Sequence, residues 1–172
     1  MNKLPQNIIL IGFMGSGKTT VAKLLGQKLH KKVVEMDDLV IKSSKRKSVN
    51  EIFDKDEEIR FRELEIKAAK RVGKKKGVVV STGGGLITNK INLDFLKKNG
   101  VAVYLETSFH VAQDRLKDAT DRPLFRDPLV ARKLYEFRKP LYDYHSEYMV
   151  NTNDKTPEQI VDEIIKKLNE GL

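Results

Sequence analysis

The sequence contains no cysteine and no tryptophan. Without cysteine the chain can form neither a disulfide nor a thiolate metal site. It also has no apolar run near the roughly 20 residues that a membrane-spanning helix requires, so we expect no membrane partner. No charged and then apolar leader precedes the first predicted strand, so we expect no secretion signal and a cytoplasmic protein.

Positive charge is in excess, because 33 lysines and arginines outnumber 24 acidic residues and leave a formal net charge of +9. An excess of this size favours an anionic partner, of which nucleic acid is one candidate. Aromatic residues are few and do not interleave with the basic runs Lys45–Lys47 and Lys74–Lys76, so a base-stacking surface is not indicated. We therefore expect no nucleic-acid partner, whereas an anionic small substrate would benefit from the positive field.

The most informative stretch is Gly12–Thr19, which reads GFMGSGKT. It follows the apolar run Ile8–Ile11, typical of a buried parallel strand, and precedes apolar residues at helical spacing. Strand, glycine-rich loop and helix in this order match the phosphate-binding pattern G-x-x-x-x-G-K-[ST]. Backbone N–H groups would hold the phosphates, Lys18 would reach the β- and γ-phosphates, and the Thr19 hydroxyl would ligate Mg²⁺. The stretch therefore predicts a nucleoside triphosphate site.

Apolar segments that suit buried strands alternate with helical patterns along the chain. The predicted strands are Ile8–Ile11, Lys32–Met36, Val78–Ser81, Val101–Leu105 and Tyr148–Val150. This alternation predicts an α/β protein, a single domain over residues 1–172 with a central five-stranded parallel sheet flanked by helices. A helix that begins near Leu129 is expected to end or kink at Pro140.

Ligands of such sheets bind beyond the carboxyl ends of the strands. Asp37 follows the second predicted strand, and its carboxylate could orient or deprotonate an acceptor hydroxyl. Equally, Asp37 or Asp38 could serve only as a cap of the next helix. Glu35, on the strand itself, could reach a metal through water. Gly83–Gly85 follow the third strand, and three glycines in a row exceed what a turn needs and indicate backbone lying against a ligand.

Three arginines are candidate anion-binding residues. Arg62 lies four residues after Glu58, a spacing that by default indicates a surface ion pair worth about 0.3–0.5 kcal/mol, although Arg62 flanks the buried face of its helix. Arg138 lies just before Pro140 and is either a helix C-terminal cap or a planar, bidentate anchor for a carboxylate. Arg122 lies in the longest charged loop, which could close over the triphosphate as a lid.

In this ordered set of features the chain resembles the shikimate kinases, over nearly its whole length. The resemblance rests on Gly12–Thr19, Asp37, Glu58–Arg62, Gly83–Gly85, Arg122–Leu124 and Arg138–Tyr142. It implies a P-loop kinase, similar to the nucleoside monophosphate kinases, that transfers the ATP γ-phosphate to the 3-hydroxyl of shikimate in aromatic amino-acid biosynthesis. It further implies Mg²⁺ as cofactor, a monomer, substrate-binding helices over about 38–72 and a mobile lid over about 112–126.

The resemblance also implies roles for residues at matching positions. Asp37 would hold and activate the shikimate hydroxyls, while Arg62, Arg138 and the Gly84 backbone would bind the rest of shikimate. Catalysis would depend on Lys18, Asp37 and Arg122. The residues that would bind ATP are Gly15, Ser16, Gly17, Lys18, Thr19, Thr20, Arg115, Arg122, Lys155 and Pro157. Thr19, and Glu35 through water, would hold the metal.

The chain departs from the family pattern at four positions. Glu35 replaces an aspartate, Ile41 replaces a glutamate and Lys155 replaces an arginine near the adenine. Glu57 replaces a glycine before the Glu-x-x-Phe-Arg motif and would stiffen the substrate-binding helices.

Two other functions would account for part of this pattern. Another small-molecule or nucleotide kinase would share the phosphate loop and lid, but would not need two arginines around a triple glycine. A non-enzymatic, nucleotide-dependent binding protein would leave Asp37 and Arg122 without a role.

Overall fold

The structure is a computed structural model, and it describes residues 5–117 and 127–171. Five strands form one parallel sheet: Asn7–Ile11 (β1), Lys32–Glu35 (β2), Val78–Ser81 (β3), Gly100–Glu106 (β4) and Tyr148–Asn151 (β5). Their order across the sheet is β2-β3-β1-β4-β5, with every neighbouring pair parallel. The predicted α/β class and five-stranded parallel sheet are confirmed.

Helices follow the strands in sequence. Within the described residues they are Lys18–Lys28 (α1), Met36–Ser44 (α2), Val49–Val72 (α3), Lys90–Leu96 (α4), Phe109–Leu116 (α5), Pro128–His145 (α6) and Pro157–Glu170 (α7). None of these helices has the length and apolar character needed to cross a membrane. Of the predicted lid, residues 112–117 belong to the described chain, whereas Arg122 lies outside the described residues.

The central strand β1 is buried on both faces. Ile8 and Leu10 pack in a cluster with residues of α1 and α7. Ile9 and Ile11 pack on the other face, in a cluster with residues of α2, α3, α4 and α6. Burial on both faces explains why β1 reads as a continuous apolar run rather than as an alternating pattern. The loop after β1 therefore lies at the middle of the sheet's carboxyl edge.

Glu57 interrupts α3 with φ 66° and ψ 166°, so that two helical segments meet there. The break lies within the range of about 38–72 in which the resemblance implies substrate-binding helices. This backbone conformation favours glycine and costs roughly 1–3 kcal/mol for another residue. Beside the break, the Arg46 guanidinium binds both carboxylate oxygens of Asp56 at 2.6 and 2.7 Å. Glu57, at the position where the family pattern has glycine, therefore forms a strained junction between the two helical segments.

Helix α6 continues through Pro140 to His145, so of the two predicted alternatives, an end or a kink at Pro140, the end is wrong. A proline inside a helix removes one backbone donor and ordinarily destabilises it. Here the following turn is held by packing, because Tyr142 is fully buried and its ring stacks on Tyr104 with centroids 5.2 Å apart. Arg138 consequently lies in the interior of α6, and its interpretation as a C-terminal cap is also wrong.

Candidate active site

The phosphate loop joins β1 to α1 at the centre of the carboxyl edge. Gly15 and Gly17 adopt φ values of 80° and 87°, which residues with a side chain rarely adopt. The Lys18 ammonium is buried and donates to the carbonyl oxygens of Gly12 at 2.7 Å and Phe13 at 2.9 Å. The loop thus has the left-handed glycines and the inward-held lysine that a phosphate site requires.

Thr19 and Glu35 lie beside this loop, and the Thr19 hydroxyl donates to Oε2 of Glu35 at 3.4 Å. Burial raises the pKa of Glu35, and the nearby hydroxyls of Ser81 and Thr19 oppose that rise. Oε1 of Glu35 is buried without a well-formed hydrogen bond to the described residues. A buried carboxylate oxygen that lacks a donor, next to a hydroxyl, fits a divalent cation with a preference for oxygen ligands.

The acidic pair after β2 lies in the first turn of α2, whose N-cap is Glu35. Neither Asp37 nor Asp38 is therefore the N-cap residue, although both place negative charge where the helix dipole favours it. Asp38 is exposed and Asp37 is half-buried. A Cβ atom built on Gly83 would lie only 2.7 Å from Oδ1 of Asp37, so this carboxylate faces the triple-glycine turn.

The triple-glycine turn, Gly83–Gly85, brings the remaining predicted substrate residues together. A Cβ atom on Gly85 would lie 2.5 Å from Nη2 of Arg62 and 3.0 Å from Nη2 of Arg138. A Cβ atom on Gly84 would lie 3.3 Å from the backbone nitrogen of Met14 in the phosphate loop. The backbone of the triple-glycine turn therefore lies against both guanidinium groups and next to the phosphate loop.

Arg62 forms the predicted ion pair with Glu58, whose carboxylate is mostly exposed, and a second one with Glu65 at 3.0 Å. Glu65 is nearly inaccessible to solvent, and its Oε1 has no hydrogen-bond partner within the described residues. Burial raises the pKa of Glu65 to about 7, while the nearby Arg62 counteracts part of that rise. Arg62 is therefore more than a surface residue, because a buried carboxylate holds its guanidinium.

Arg138 is 4% exposed, and burial lowers the pKa of its guanidinium. Within residues 5–117 and 127–171, its Nε atom has no hydrogen-bond partner and no carboxylate forms a salt bridge with its guanidinium. A buried cation without a counter-ion is costly. The side chain is thus a candidate anchor for an anionic group that reaches the triple-glycine turn.

The predicted ATP-binding residues beyond Gly15–Thr19 come from α1, α5, α7 and the segment between β5 and α7. Arg115 of α5 donates to the carbonyl oxygens of Gly15 at 3.1 Å and Thr152 at 3.2 Å, and so links the loop to the segment after β5. Lys155 in that segment forms an ion pair with Glu163 at 2.6 Å. Pro157 is the first residue of α7, and Thr20 is exposed in the first turn of α1.

Two residues of this site received no role from the sequence. Glu65 lies three residues after Arg62 and Tyr142 four residues after Arg138, so each shares a helix face with its arginine. The spacing was a usable signal, but it does not distinguish a buried partner from an exposed one.

A parallel α/β sheet with a phosphate loop after its central strand, and acidic and guanidinium groups around the adjacent turn, define a P-loop kinase. The shikimate kinase family model matches residues 14–169. A shikimate kinase of Sulfurihydrogenibium sp. (strain YO3AOP1) is 44% identical over 164 residues, covering 95% of this chain and 98% of the relative. The chain belongs to the shikimate kinase family.

Solved structures agree with that assignment. A shikimate kinase from Acinetobacter baumannii in complex with shikimate superposes with a TM-score of 0.92 at 31% identity, covering 99% of this chain and 96% of the other. A shikimate kinase from Aquifex aeolicus vf5 gives a TM-score of 0.85 at 38% identity, with 96% and 97% covered.

Proposed function

We propose that the protein transfers the γ-phosphate of ATP to the 3-hydroxyl of shikimate, giving shikimate 3-phosphate and ADP, in aromatic amino-acid biosynthesis. The observation that supports this most directly is the buried Arg138, which lacks a carboxylate partner among the described residues. The carboxylate of shikimate would neutralise it. Arg62, on the other side of the triple-glycine turn, would then complete a planar, bidentate grip.

The reacting groups would meet where the phosphate loop and the triple-glycine turn lie against each other. The acceptor oxygen would form a bond to the γ-phosphorus as the bond from phosphorus to the β-phosphate oxygen breaks. Asp37, which faces Gly83, would align the hydroxyl and accept its proton. Lys18 would leave its present carbonyl partners for the β- and γ-phosphates and stabilise the charge that develops on them.

Mg²⁺ is the cation that we propose for this reaction, with Thr19 Oγ1 as a ligand and Glu35 acting through water. The oxygen-only donor set suits it, and so does the unsatisfied Glu35 Oε1. No cluster of three or more acidic or histidine side chains among the described residues could hold a cation alone, so ATP phosphates would complete the shell. The ion would neutralise phosphate charge when bound.

The remaining assignments are proposals that follow from the family. Gly15–Thr20, Arg115, Lys155 and Pro157 would bind ATP, the Gly84 backbone would contact shikimate, and Arg122 would close on the phosphates from a lid over about 112–126. We propose one domain over 1–172, with substrate-binding helices over about 38–72. We also propose a cytoplasmic monomer without nucleic-acid or membrane partners, as the composition and the resemblance to the family lead us to expect.

A coupled assay of ADP release tests the reaction. We expect turnover with shikimate, and little with gluconate, nucleoside monophosphates or RNA. Turnover with gluconate or a nucleoside monophosphate alone would assign the protein to another kinase activity, and ATP binding without turnover would favour a binding protein.

The proposed binding of the shikimate carboxylate by Arg62 is tested by Arg62→Lys, which keeps the charge but loses the planar, bidentate guanidinium. We expect the Michaelis constant to rise far more for shikimate than for ATP, with Arg60→Lys, on the exposed face of the same helix, as the matched control. Equal effects on both substrates would make Arg62 a structural residue.

A further inference from the structure

The three carbonyl groups of the triple-glycine turn have different partners. Those of Gly83 and Gly85 each accept a backbone N–H from three residues ahead, at 3.1 Å. The carbonyl of Gly84 instead accepts the phenol O–H of Tyr142, at 2.6 Å and 58 residues away in sequence. The middle peptide of the turn is therefore held by α6 and not by the turn itself.

The Tyr142 hydroxyl faces Arg138 as well as Gly84. Burial raises the pKa of Tyr142, so its phenol keeps its proton and donates to the Gly84 carbonyl. The phenol oxygen retains acceptor capacity, and the nearby Arg138 guanidinium opposes part of the rise in its pKa. The guanidinium also lies beside the same glycine, because a Cβ atom on Gly84 would lie 3.6 Å from Nη1 of Arg138. Since Arg138 and Tyr142 are four residues apart on α6, they share one face of the helix.

The ring of Tyr142 is fixed by its surroundings. The residue is 1% exposed and its ring stacks on Tyr104 of β4, with centroids 5.2 Å apart and planes inclined by 23°. A close-packed aromatic ring of this kind has one available position, so its hydroxyl has one as well. The hydroxyl can therefore fix the groups to which it bonds.

We propose that Tyr142 is a positioning residue of the acceptor site. Its hydroxyl links the Gly84 peptide to the Arg138 guanidinium. It therefore sets the distance between the backbone of the triple-glycine turn and this buried guanidinium. This inference rests on the proposed function, in which Arg138 binds the shikimate carboxylate and the Gly84 backbone contacts shikimate. Tyr142 itself is not a substrate contact.

The test is Tyr142→Phe, which keeps the stacked ring and removes only the hydroxyl. We expect the Michaelis constant and the equilibrium dissociation constant for shikimate to rise about tenfold, the size expected for one lost buried hydrogen bond. The turnover number should change less than about threefold and the Michaelis constant for ATP less than about twofold, because the lost contact acts equally in ground and transition states.

The matched control is Tyr135→Phe. Tyr135 lies on the same helix, is also buried, and donates its hydroxyl to the Thr107 carbonyl at 2.9 Å, away from the triple-glycine turn. We expect a similar fall in melting temperature in both variants, with the constants for shikimate unchanged in the control. Equal constants for shikimate in the two variants would overturn the inference and leave Tyr142 a packing residue.

A double variant sharpens the test. If Tyr142 acts through Arg138, the losses in shikimate affinity from Tyr142→Phe and Arg138→Lys should be less than multiplicative when combined. Multiplicative losses would overturn the inference.

Should Tyr142→Phe fail to fold, 4-fluorophenylalanine at position 142 fills the space of the hydroxyl and removes the donor, and the same outcomes apply. An inactive wild-type enzyme with shikimate would instead overturn the proposed function, and the inference with it.

Discussion

Gly12–Gly17 and Gly83–Gly85 are both glycine-rich turns that follow buried strands at the same edge of the sheet, yet they need glycine for different reasons. In the phosphate loop the requirement is conformational, since Gly15 and Gly17 have φ of 80° and 87°, and at Gly15 a Cβ atom would also lie 2.8 Å from a backbone carbonyl oxygen. In the triple-glycine turn no φ is left-handed, and the requirement is only spatial, since a Cβ atom on Gly83 or Gly85 would lie 2.7 Å or less from a side-chain atom of Asp37 or Arg62.

The difference separates the two halves of the site. The phosphate loop is built from consecutive residues and their own backbone, so most of its chemistry is local. The triple-glycine turn works only through side chains from α2, α3 and α6 that reach it across the fold. Variants in the first half should therefore affect ATP and catalysis, and variants in the second half should affect shikimate.

The largest expected effect is that of Lys18→Ala in the phosphate loop. Loss of the ammonium removes charge stabilisation in the transition state, so turnover should fall by about 10³-fold while the fold is retained. Steady-state kinetics and thermal denaturation measure the two effects, with the exposed Lys23→Ala on the same helix as control. Near-normal turnover in Lys18→Ala would show that this loop is not the catalytic one.

Asp37→Asn tests the point where the two halves of the site meet, because Asp37 is proposed both to bind shikimate and to take part in catalysis. The variant keeps size and one acceptor but loses the charge, so turnover should fall by roughly 10²-fold or more, with a smaller loss of shikimate affinity. Asp38→Asn should be mild, because Asp38 is exposed.

A damaging Asp38→Asn and a tolerated Asp37→Asn would reverse the assignment of the acidic pair. If Asp37→Asn removes shikimate binding without changing turnover of the bound complex, the role of Asp37 is recognition.

The comparison between the turns is tested directly by adding one methyl group to each. Gly85→Ala should displace the flexible end of Arg62, so the protein should fold while the Michaelis constant for shikimate rises about tenfold. Gly17→Ala has open space around the new methyl group but retains φ 87°, so it should weaken ATP binding several-fold through backbone strain. The same pattern of constants in both variants would contradict the division.

The smallest effect expected is a pH dependence from Glu65, whose pKa burial raises to about 7. A carboxylate of shikimate near Arg62 and Arg138 would disfavour the ionised Glu65, so binding should favour the protonated form. The dissociation constant for shikimate should therefore be about three- to tenfold larger at pH 8 than at pH 6. Glu65→Gln should remove this difference, and an unchanged pH profile in that variant would point to another group.

The same group affects folding with a defined sign. An acid whose pKa is higher in the folded protein than in the unfolded chain favours folding in its neutral form. The free energy of unfolding should fall as pH rises from the ordinary value of 4.5 to about 7, and change no further from this group above that. Glu65→Gln should flatten this slope in chemical denaturation measured across that range.

The sequence predicted the elements of the site better than their surroundings. The central strands β1 and β3 are short, mostly apolar runs that are buried along their whole length, whereas the edge strands β2 and β5 are only partly buried. A parallel order follows from the helices between the strands. Of the predicted end or kink at Pro140, the end does not occur, because packing of Tyr142 on Tyr104 outweighs the helix-breaking tendency of Pro140. The assigned roles of Asp37, Arg62 and Arg138 came from resemblance and stay predictions.

By itself the sequence determined the strand order along the chain and the phosphate loop, because consecutive residues and backbone geometry define both. Only the tertiary structure decided that Asp37 rather than Asp38 faces the glycine turn, that Glu65 holds Arg62 from a buried position, and that Tyr142 binds Gly84 across 58 residues. Burial and side-chain direction produce these pairings. They depend on how helices pack on the sheet, which spacing along one helix does not encode.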